Sequence, residues 1–149
     1  MQLKTIKSLL LSFFILFLSG CEKAPIREDV EGYWQLKSVT YLETGEAVEY
    51  NGLYYSISMM LVKVSDPYNR YGCGQAFGRL KYEDDNNSLV FSDFYVGAGN
   101  VDTGVQAQVE NLIPYGINSR DEIKFRIVHC NGKTMTLESE YSRLELRKF

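Results

Sequence analysis

The sequence is poor in the residues on which most enzymes and metal sites depend. Among 149 residues there are one histidine, three cysteines and three prolines. His129 is the only histidine that could act as a base for a catalytic nucleophile. Its neighbour Cys130 is a poor candidate for that nucleophile, because adjacent residues of a strand point to opposite faces. The sequence has no Cys-x-x-Cys motif and no histidine pair of the kind that binds zinc. It also has no Gly-x-Gly-x-x-Gly motif between a strand and a helix, which would indicate a phosphate-binding loop. We therefore predict no enzymatic activity, no metal and no cofactor, with His129 partly buried at a strand end.

Basic residues are also scarce. The chain has 16 Lys and Arg against 19 Asp and Glu, so its formal net charge is −3. A nucleic-acid-binding domain needs a basic face, and electrostatic attachment to anionic lipid needs a basic cluster. The composition therefore argues against nucleic acid as a partner and against a polybasic membrane patch.

Long apolar runs are missing except near the start, where residues 9–18 read LLLSFFILFL. A membrane-spanning helix needs about 20 apolar residues, and this run is about half that length. Lys4 and Lys7 precede it, and Glu22 and Lys23 follow it closely. This arrangement predicts a signal peptide over residues 1–20 rather than an anchor helix.

The end of the signal segment, Leu18-Ser19-Gly20-Cys21, resembles the lipobox of bacterial lipoproteins. The resemblance implies cleavage before Cys21, a diacylglyceryl thioether on its sulfur, and acylation of the new amino group. Two or more acyl chains hold a protein stably on a membrane. The alternative is an ordinary secreted protein in which Cys21 follows Gly20 by chance.

Removal of residues 1–20 would leave 129 residues, enough for one domain with a hydrophobic core. The formal charge would become −5, because two lysines leave with the signal segment. We predict a lipidated cysteine and flexible tether over residues 21–30 and one domain over residues 31–149. Glu22 and the acidic pair Glu28-Asp29 point to the cell envelope and its outer membrane, on either the periplasmic or the outer face.

If Cys21 carries lipid, Cys73 and Cys130 remain as a possible disulfide. The bond would close a loop of 58 residues. Loop-closure entropy would then stabilise the domain by about 4 kcal/mol at most. The alternative is two unpaired cysteines, because a disulfide requires the two Cα atoms to lie close together.

Alternating apolar and polar residues, typical of half-buried strands, recur through residues 33–148. We expect residues 53–64 to form the longest strand, with a bulge or burial on both faces, and residues 105–112 to form a short helix ended by Pro114. Asn131-Gly132 is the strongest hairpin signal. The pattern predicts an all-β domain of seven or eight antiparallel strands with at most one short helix. Closure into a barrel would remove the exposed strand edges.

The segment Glu31-Gly32-Tyr33-Trp34-Gln35-Leu36 resembles the Gly-x-Trp start of lipocalin-like domains. Residues 135–149 are similar to the final hairpin of small lipocalin-like bacterial lipoproteins of unknown function. The resemblance implies a barrel in which Gly32 opens the first strand and Trp34 fills the closed end. It also implies an arginine packed across Trp34, for which Arg147 is the best match and Arg143 the second. The alternative is that both arginines are solvated.

Binding is the remaining class of function. Tyr68, Arg70 and Tyr71 stand in a turn-rich loop, and aromatic residues and arginine are common anchors of recognition surfaces. Inside the barrel, side chains including Tyr55 and Met59 are expected either to line a cavity or to fill it. Our leading hypothesis is a non-enzymatic, membrane-anchored envelope lipoprotein that binds a small apolar or amphipathic ligand in or at the mouth of the barrel. The alternative is a protein-interaction module, such as an inhibitor or an accessory subunit of an envelope complex.

Overall fold

The computed structural model describes residues 24–149. The predicted signal peptide and the predicted lipidation site, Cys21, lie outside these described residues. Within them, no helix combines the length and the apolar character needed to cross a membrane.

The described chain consists almost entirely of strands. A short helix and one turn of 3-10 helix lie between the seventh and the eighth strand. The strands are β1 (Gly32–Tyr41), β2 (Ala47–Glu49), β3 (Tyr54–Ser58), β4 (Leu61–Ser65), β5 (Gln75–Glu83), β6 (Ser88–Ala98), β7 (Val101–Gln106), β8 (Glu122–Cys130), β9 (Thr134–Glu138) and β10 (Ser142–Lys148), while α1 is Val109–Leu112 and the 3-10 turn is Ile113–Tyr115.

Eight of these strands close into an antiparallel barrel, in the order β1-β3-β4-β5-β6-β8-β9-β10 and back to β1. The closing pair, β10 with β1, runs from Trp34 opposite Lys148 to Tyr41 opposite Ser142. β2 pairs with β1 and β7 pairs with β6 as additions to this circuit. The predicted fold class is therefore confirmed, because the apolar face of each strand turns inward and closure leaves the eight strands without a free edge.

Strand direction defines two ends of the barrel. The base holds the start of β1, the turns at residues 59–60, 84–87 and 131–133, and the C-terminus. The mouth is the opposite end, with the loops at residues 42–46, 66–74, 107–121 and 139–141. Base and mouth are used in this sense below.

The predicted strand over residues 53–64 is wrong, because it is two strands. β3 and β4 are joined by a tight turn at Met59 and Met60. Met59 has a positive φ of 35°, a conformation that usually calls for Gly or Asn. A turn made of apolar residues lacks the Gly, Pro, Asn and Asp that mark most turns. The prediction from apolar character therefore continued one strand across it.

The predicted helix is shorter than expected. Residues 105–106 belong to β7, and α1 covers only Val109–Leu112. Pro114 lies in the 3-10 turn, at one of its first two positions. Proline is tolerated there because the first amide groups of a helix have no partner within it.

The packed domain begins before residue 31. The side chain of Val30 is fully buried, and its carbonyl accepts a hydrogen bond of 2.7 Å from Trp34 Nε1. The amide of Ile26 donates to Glu31 Oε1 at 2.8 Å, and Arg27 Nη1 donates to the carbonyl of Asn86 at 3.0 Å. Residues 26–30 therefore form part of the base rather than part of a tether.

Candidate binding surface at the mouth of the barrel

The mouth is closed by the chain that links β7 to β8. Leu112, Tyr115 and Ile117 in this segment are at most 1% exposed. Tyr115 Oη donates to the carbonyl of Gly74 at 2.8 Å, and Ser142 Oγ donates to that of Gly116 at 2.6 Å. These contacts tie the segment to both sides of the barrel.

Gly116 is required for this closure. It adopts φ +78°, and a Cβ there would lie 2.3 Å from Leu144 Cδ2 and 2.8 Å from Ser142 Oγ. A side chain at this position would therefore clash with the interior of the barrel as well as strain the backbone.

The interior is filled by side chains. Tyr55, Phe91 and Phe125 are fully buried, with ring centroids 6.2 Å apart for the first pair and 5.4 Å for the second. A cavity large enough for a water molecule would leave accessible area on the side chains that line it. Fourteen inward-facing residues of the barrel have at most 4% exposure, and most have none: Trp34, Leu36, Tyr55, Ile57, Val62, Val64, Leu80, Leu89, Phe91, Phe125, Met135, Leu137, Leu144 and Leu146.

The two predicted interior residues therefore have different outcomes. Tyr55 fills the barrel, and its hydroxyl donates to the carbonyl of Tyr115. Met59 lies in the turn at the base, away from the mouth. Tyr55 has no exposed area and therefore lines no open cavity.

The loop at residues 66–74 is held by one carboxylate. Asp66 is only 6% exposed, and its two oxygens accept hydrogen bonds of 2.9 Å from the amides of Arg70 and Tyr71. The Cys73 thiol lies 3.7 Å from Asp66 Oδ2. Hydrogen bonds to a charged carboxylate are stronger than those between neutral groups, so these two contacts stabilise the loop.

The predicted recognition residues project from this loop. Tyr68 is 66% and Tyr71 40% exposed. The guanidinium carbon of Arg70 lies 5.3 Å from the Tyr68 ring centre, and Arg70 Nη1 donates to the carbonyl of Asn51 at 3.0 Å. Tyr71 Oη accepts from the amide of Asn51 at 2.9 Å. The structure brings the three side chains together on the surface, and their role in binding stays a prediction.

Further tyrosines extend this surface around the mouth. The Tyr50 ring lies edge-on to Tyr71 at 5.1 Å, its hydroxyl is 3.4 Å from that of Tyr41, and Tyr41 contacts Tyr141 at 5.6 Å. Burial raises the pKa of Tyr41, Tyr50 and Tyr141, so all three hydroxyls are neutral at physiological pH. Leu42 is 42% exposed, and its amide donates to the carbonyl of Tyr141 at 3.0 Å. We define the mouth surface as Leu42, Tyr50, Tyr68, Arg70, Tyr71 and Tyr141.

Sequence reasoning missed half of the mouth surface. Tyr50 follows β2, while Leu42 and Tyr141 come from two other loops. No local pattern relates residues so distant in the chain. The only available signal was the abundance of tyrosine, 11 in the whole sequence.

Trp34 fills the base of the barrel, as the resemblance implies, but the cation packed over its ring is Lys148 rather than an arginine. Lys148 Nζ lies 4.9 Å from the Trp34 ring centre and donates to the carbonyl of Glu31 at 2.8 Å. A Cβ on Gly32, which has φ +139°, would lie 2.6 Å from Lys148 Cε. Gly32 therefore leaves room for the lysine stem over Trp34.

The prediction that Arg147 packs across Trp34 is wrong. Arg147 points outward and its Nη2 donates to Gln35 Oε1 at 3.0 Å. The second match, Arg143, is also outward and pairs with Glu138 at 3.0 Å. Alternation along β10 is the reason, because Lys148 shares the inward face with Leu144 and Leu146.

Cys73 and Cys130 are not bonded to each other. Cys73 lies in the loop at the mouth, whereas Cys130 ends β8 at the base and its Sγ donates to the carbonyl of Asp29 at 3.3 Å. Burial raises the pKa of both thiols. Both are therefore largely protonated at neutral pH and are poor nucleophiles.

His129 is exposed rather than partly buried. A register shift between Ile127 and His129 reverses the alternation at the end of β8 and turns the imidazole outward. Its Nε2 lies 3.3 Å from Thr134 Oγ1. Among the described residues, no group of three or more His, Cys, Asp and Glu side chains is placed to hold a metal ion.

Two open grooves run over the outside of the barrel. One, of about 780 Å³, is lined mainly by charged and polar residues and includes ion pairs such as Lys124 with Asp84 at 2.8 Å and Arg126 with Glu138 at 3.3 Å. The other, of about 550 Å³, is more apolar and lies over β4, β5 and β6. Its lining includes Met60, Leu61, Phe77, Arg79 and Tyr95.

Comparisons with known proteins agree with this geometry. The model of the lipocalin-like domain family matches residues 16–149. The crystal structure of a lipocalin-like protein from Bacteroides uniformis ATCC 8492 is similar, with a TM-score of 0.59 and 17% identity, over 81% of this chain and 99% of that one. An uncharacterized protein from Bacteroides eggerthii DSM 20697 has a TM-score of 0.58 and 16% identity, over 80% and 98%. No curated protein matches the chain.

Proposed function

We propose that this chain, which belongs to the lipocalin-like domain family, is a non-enzymatic lipoprotein of the bacterial cell envelope that binds another envelope protein through its mouth surface. The lipocalin-like barrel is itself compatible with small-ligand binding. The filled interior is the observation that favours a protein partner, because a ligand carried inside would require a cavity that the described residues occupy themselves.

The chemistry of the mouth surface supports this choice. Tyrosine and arginine are enriched among the residues that contribute most to binding at protein interfaces. Tyr68 and Arg70 are exposed yet held in place by the Asp66 and Asn51 contacts. Little side-chain entropy would then be lost on binding, which favours affinity.

The lipid anchor is supported by sequence. Lys4 and Lys7, the apolar run at residues 9–18 and the sequence Leu18-Ser19-Gly20-Cys21 occur in the order that export and lipidation require. We place the protein in the outer membrane, with its domain on either face.

The absence of enzymatic activity is supported by the chemistry of the described residues. The only histidine is exposed and lies on the opposite strand face from the nearest thiol. Both described thiols have a raised pKa because they are buried. None of these groups is arranged as a nucleophile beside a base.

The test is capture of a partner from native envelopes. We expect chemical crosslinking of the full-length protein to recover a stable protein partner. The double variant Tyr68→Ala/Arg70→Ala should reduce the crosslinked yield at least tenfold, since truncating one interface hot spot often costs about 2 kcal/mol or more. The matched control, Arg79→Ala/Tyr95→Ala, removes the same residue types from the side of the barrel and should leave the yield unchanged. Recovery of no partner, or equal losses in both variants, would refute the proposal.

A small apolar or amphipathic ligand is the second candidate. The observation that favours it is the more apolar groove over β4, β5 and β6. A ligand there should raise the melting temperature of the protein, and Arg79→Ala/Tyr95→Ala should abolish that rise while Tyr68→Ala/Arg70→Ala should not. A broad ligand screen without any such shift would exclude this candidate.

A further inference from the structure

One of the three hairpin turns at the base has the wrong chemistry for a turn in water. The turn after β5 reads Asp84-Asp85-Asn86-Asn87 and the turn after β8 contains Asn131-Gly132, residues that suit tight turns. The turn between β3 and β4 instead reads Met59-Met60. Residues that break a local rule at the surface often mark a functional site.

This turn exposes its apolar side chains. Met60 is 69% exposed and Leu61, the first residue of β4, is 54% exposed. Neither side chain contributes to the buried core. The sequence therefore keeps two apolar residues in a position where folding does not require them.

The C-terminus adds a third exposed apolar side chain at the same end. Phe149 is 75% exposed, and its ring stands edge-on to Tyr33 at 5.7 Å and to Tyr54 at 5.6 Å. β10, β1, β3 and β4 are successive neighbours in the barrel, so Phe149 and the turn lie about three strand spacings, or roughly 14 Å, apart. We call Met60, Leu61 and Phe149 the base patch.

The charges around the base patch suit a lipid headgroup region. Arg79 is paired with Leu61 in the register of β4 and β5, and its side chain is 78% exposed, with Asp93 at 3.6 Å. The Lys148 ammonium, next to Phe149 in sequence, is held over Trp34 instead. The acidic turn at residues 84–87 lies beyond β5 and outside the patch. Apolar and aromatic side chains beside lysine or arginine are typical of membrane interfaces.

The short distance in sequence between Cys21 and the base determines which end of the barrel would lie near a lipid anchor on Cys21. Ile26 is the first described residue hydrogen-bonded to the base. It follows Cys21 by only five residues, and an extended chain spans at most about 3.6 Å per residue. A lipid on Cys21 would therefore hold the base within about 18 Å of the membrane.

We infer that the base of the barrel lies against the phospholipid bilayer, with Met60, Leu61 and Phe149 in its headgroup region, so that the mouth surface faces away from the membrane. This rests on the lipid anchor of the proposed function and adds to it an orientation and a lipid-contacting surface. The occupant of the base patch is the bilayer that carries the anchor.

The test uses the full-length lipidated protein in vesicles of phosphatidylethanolamine and phosphatidylglycerol that contain a phosphatidylcholine with a 5-doxyl quencher. Met60→Trp places a fluorophore in the base patch, and Leu61→Trp is a second probe in case the first disturbs folding. The control, Glu43→Trp, places it in an exposed turn at the mouth. After subtraction of the Trp34 signal of the unaltered protein, we expect the base probes to be quenched at least twofold more than the mouth probe.

The outcomes separate the inference from its premise. If the unaltered protein floats with the vesicles but base and mouth probes are quenched equally, the anchor stands and the orientation is refuted. If the base probes shift to the blue without lipid quenching and the protein dimerises, a second copy covers the patch and the inference is also refuted. If the unaltered protein does not float with vesicles, the anchor is absent and both proposals fall.

Discussion

Replacement of Tyr115 by alanine tests whether the barrel is filled and plugged. The side chain is fully buried at the closed mouth, its ring lies 6.2 Å from that of Tyr55, and its hydroxyl donates to the carbonyl of Gly74. Truncation of a buried aromatic residue to alanine typically costs about 3–5 kcal/mol, from lost burial and from the cavity left behind. For a domain of this size, we expect the melting temperature to fall by about 10–25 °C.

The variant should also gain a binding property. A cavity lined by apolar side chains stays dry and accepts a small aromatic molecule. Benzene should therefore raise the melting temperature of Tyr115→Ala and leave that of the unaltered protein unchanged. Tyr115→Phe is the control, because it keeps the ring and loses only the hydrogen bond to an exposed residue, which should cost about 1 kcal/mol or less.

Two results would refute this reasoning. A fall in melting temperature of less than about 5 °C for Tyr115→Ala would mean that the ring is not part of a tight core. A benzene-dependent rise in the unaltered protein would mean that the interior already contains a cavity. The measurement is thermal unfolding followed by circular dichroism, with and without benzene.

Two further predictions concern the base and the thiols. Lys148→Ala should lower the free energy of unfolding, measured by urea titration, by about 1–2 kcal/mol and should shift the Trp34 emission of the folded protein to the red. Arg147→Ala should lower the free energy of unfolding by less than about 1 kcal/mol and leave the emission unchanged. The reverse ranking would contradict the assignment of Lys148 as the cation over Trp34. In the folded domain, Cys73 and Cys130 should both be detected as free thiols. At pH 7 they should react with a disulfide reagent far more slowly than in urea, and the rates should rise as the pH approaches their raised pKa values. A shift of the protein band on a denaturing gel after reduction would show instead that the two cysteines are bonded.

The strands were largely predictable because burial on one face imposes a period of two. Leu144 and Leu146 in β10, and Ile123 and Phe125 in β8, alternate with charged residues. The strand prediction failed where apolar residues are not buried. Met60 and Leu61 are apolar yet exposed, so a turn was read as part of a strand.

The candidate site was only partly predictable. Tyr68, Arg70 and Tyr71 stood out because they share one loop with turn residues. The neighbouring Tyr50 and Tyr141 approach them only when distant loops meet at the mouth. The cation over Trp34 was missed by one position, since adjacent residues of a strand face opposite ways and only the register of β10 against β1 decides which faces inward.

The sequence by itself determined the all-β class, a barrel of seven or eight strands and the low content of histidine and basic residues. These follow from residue type and from a period that depends only on neighbours along the chain. Tertiary structure alone decided that the barrel is filled, that Cys73 and Cys130 lie at opposite ends, and that one end carries tyrosines and the other the base patch. Those properties depend on which distant side chains meet in space, and local alternation carries no information about such meetings.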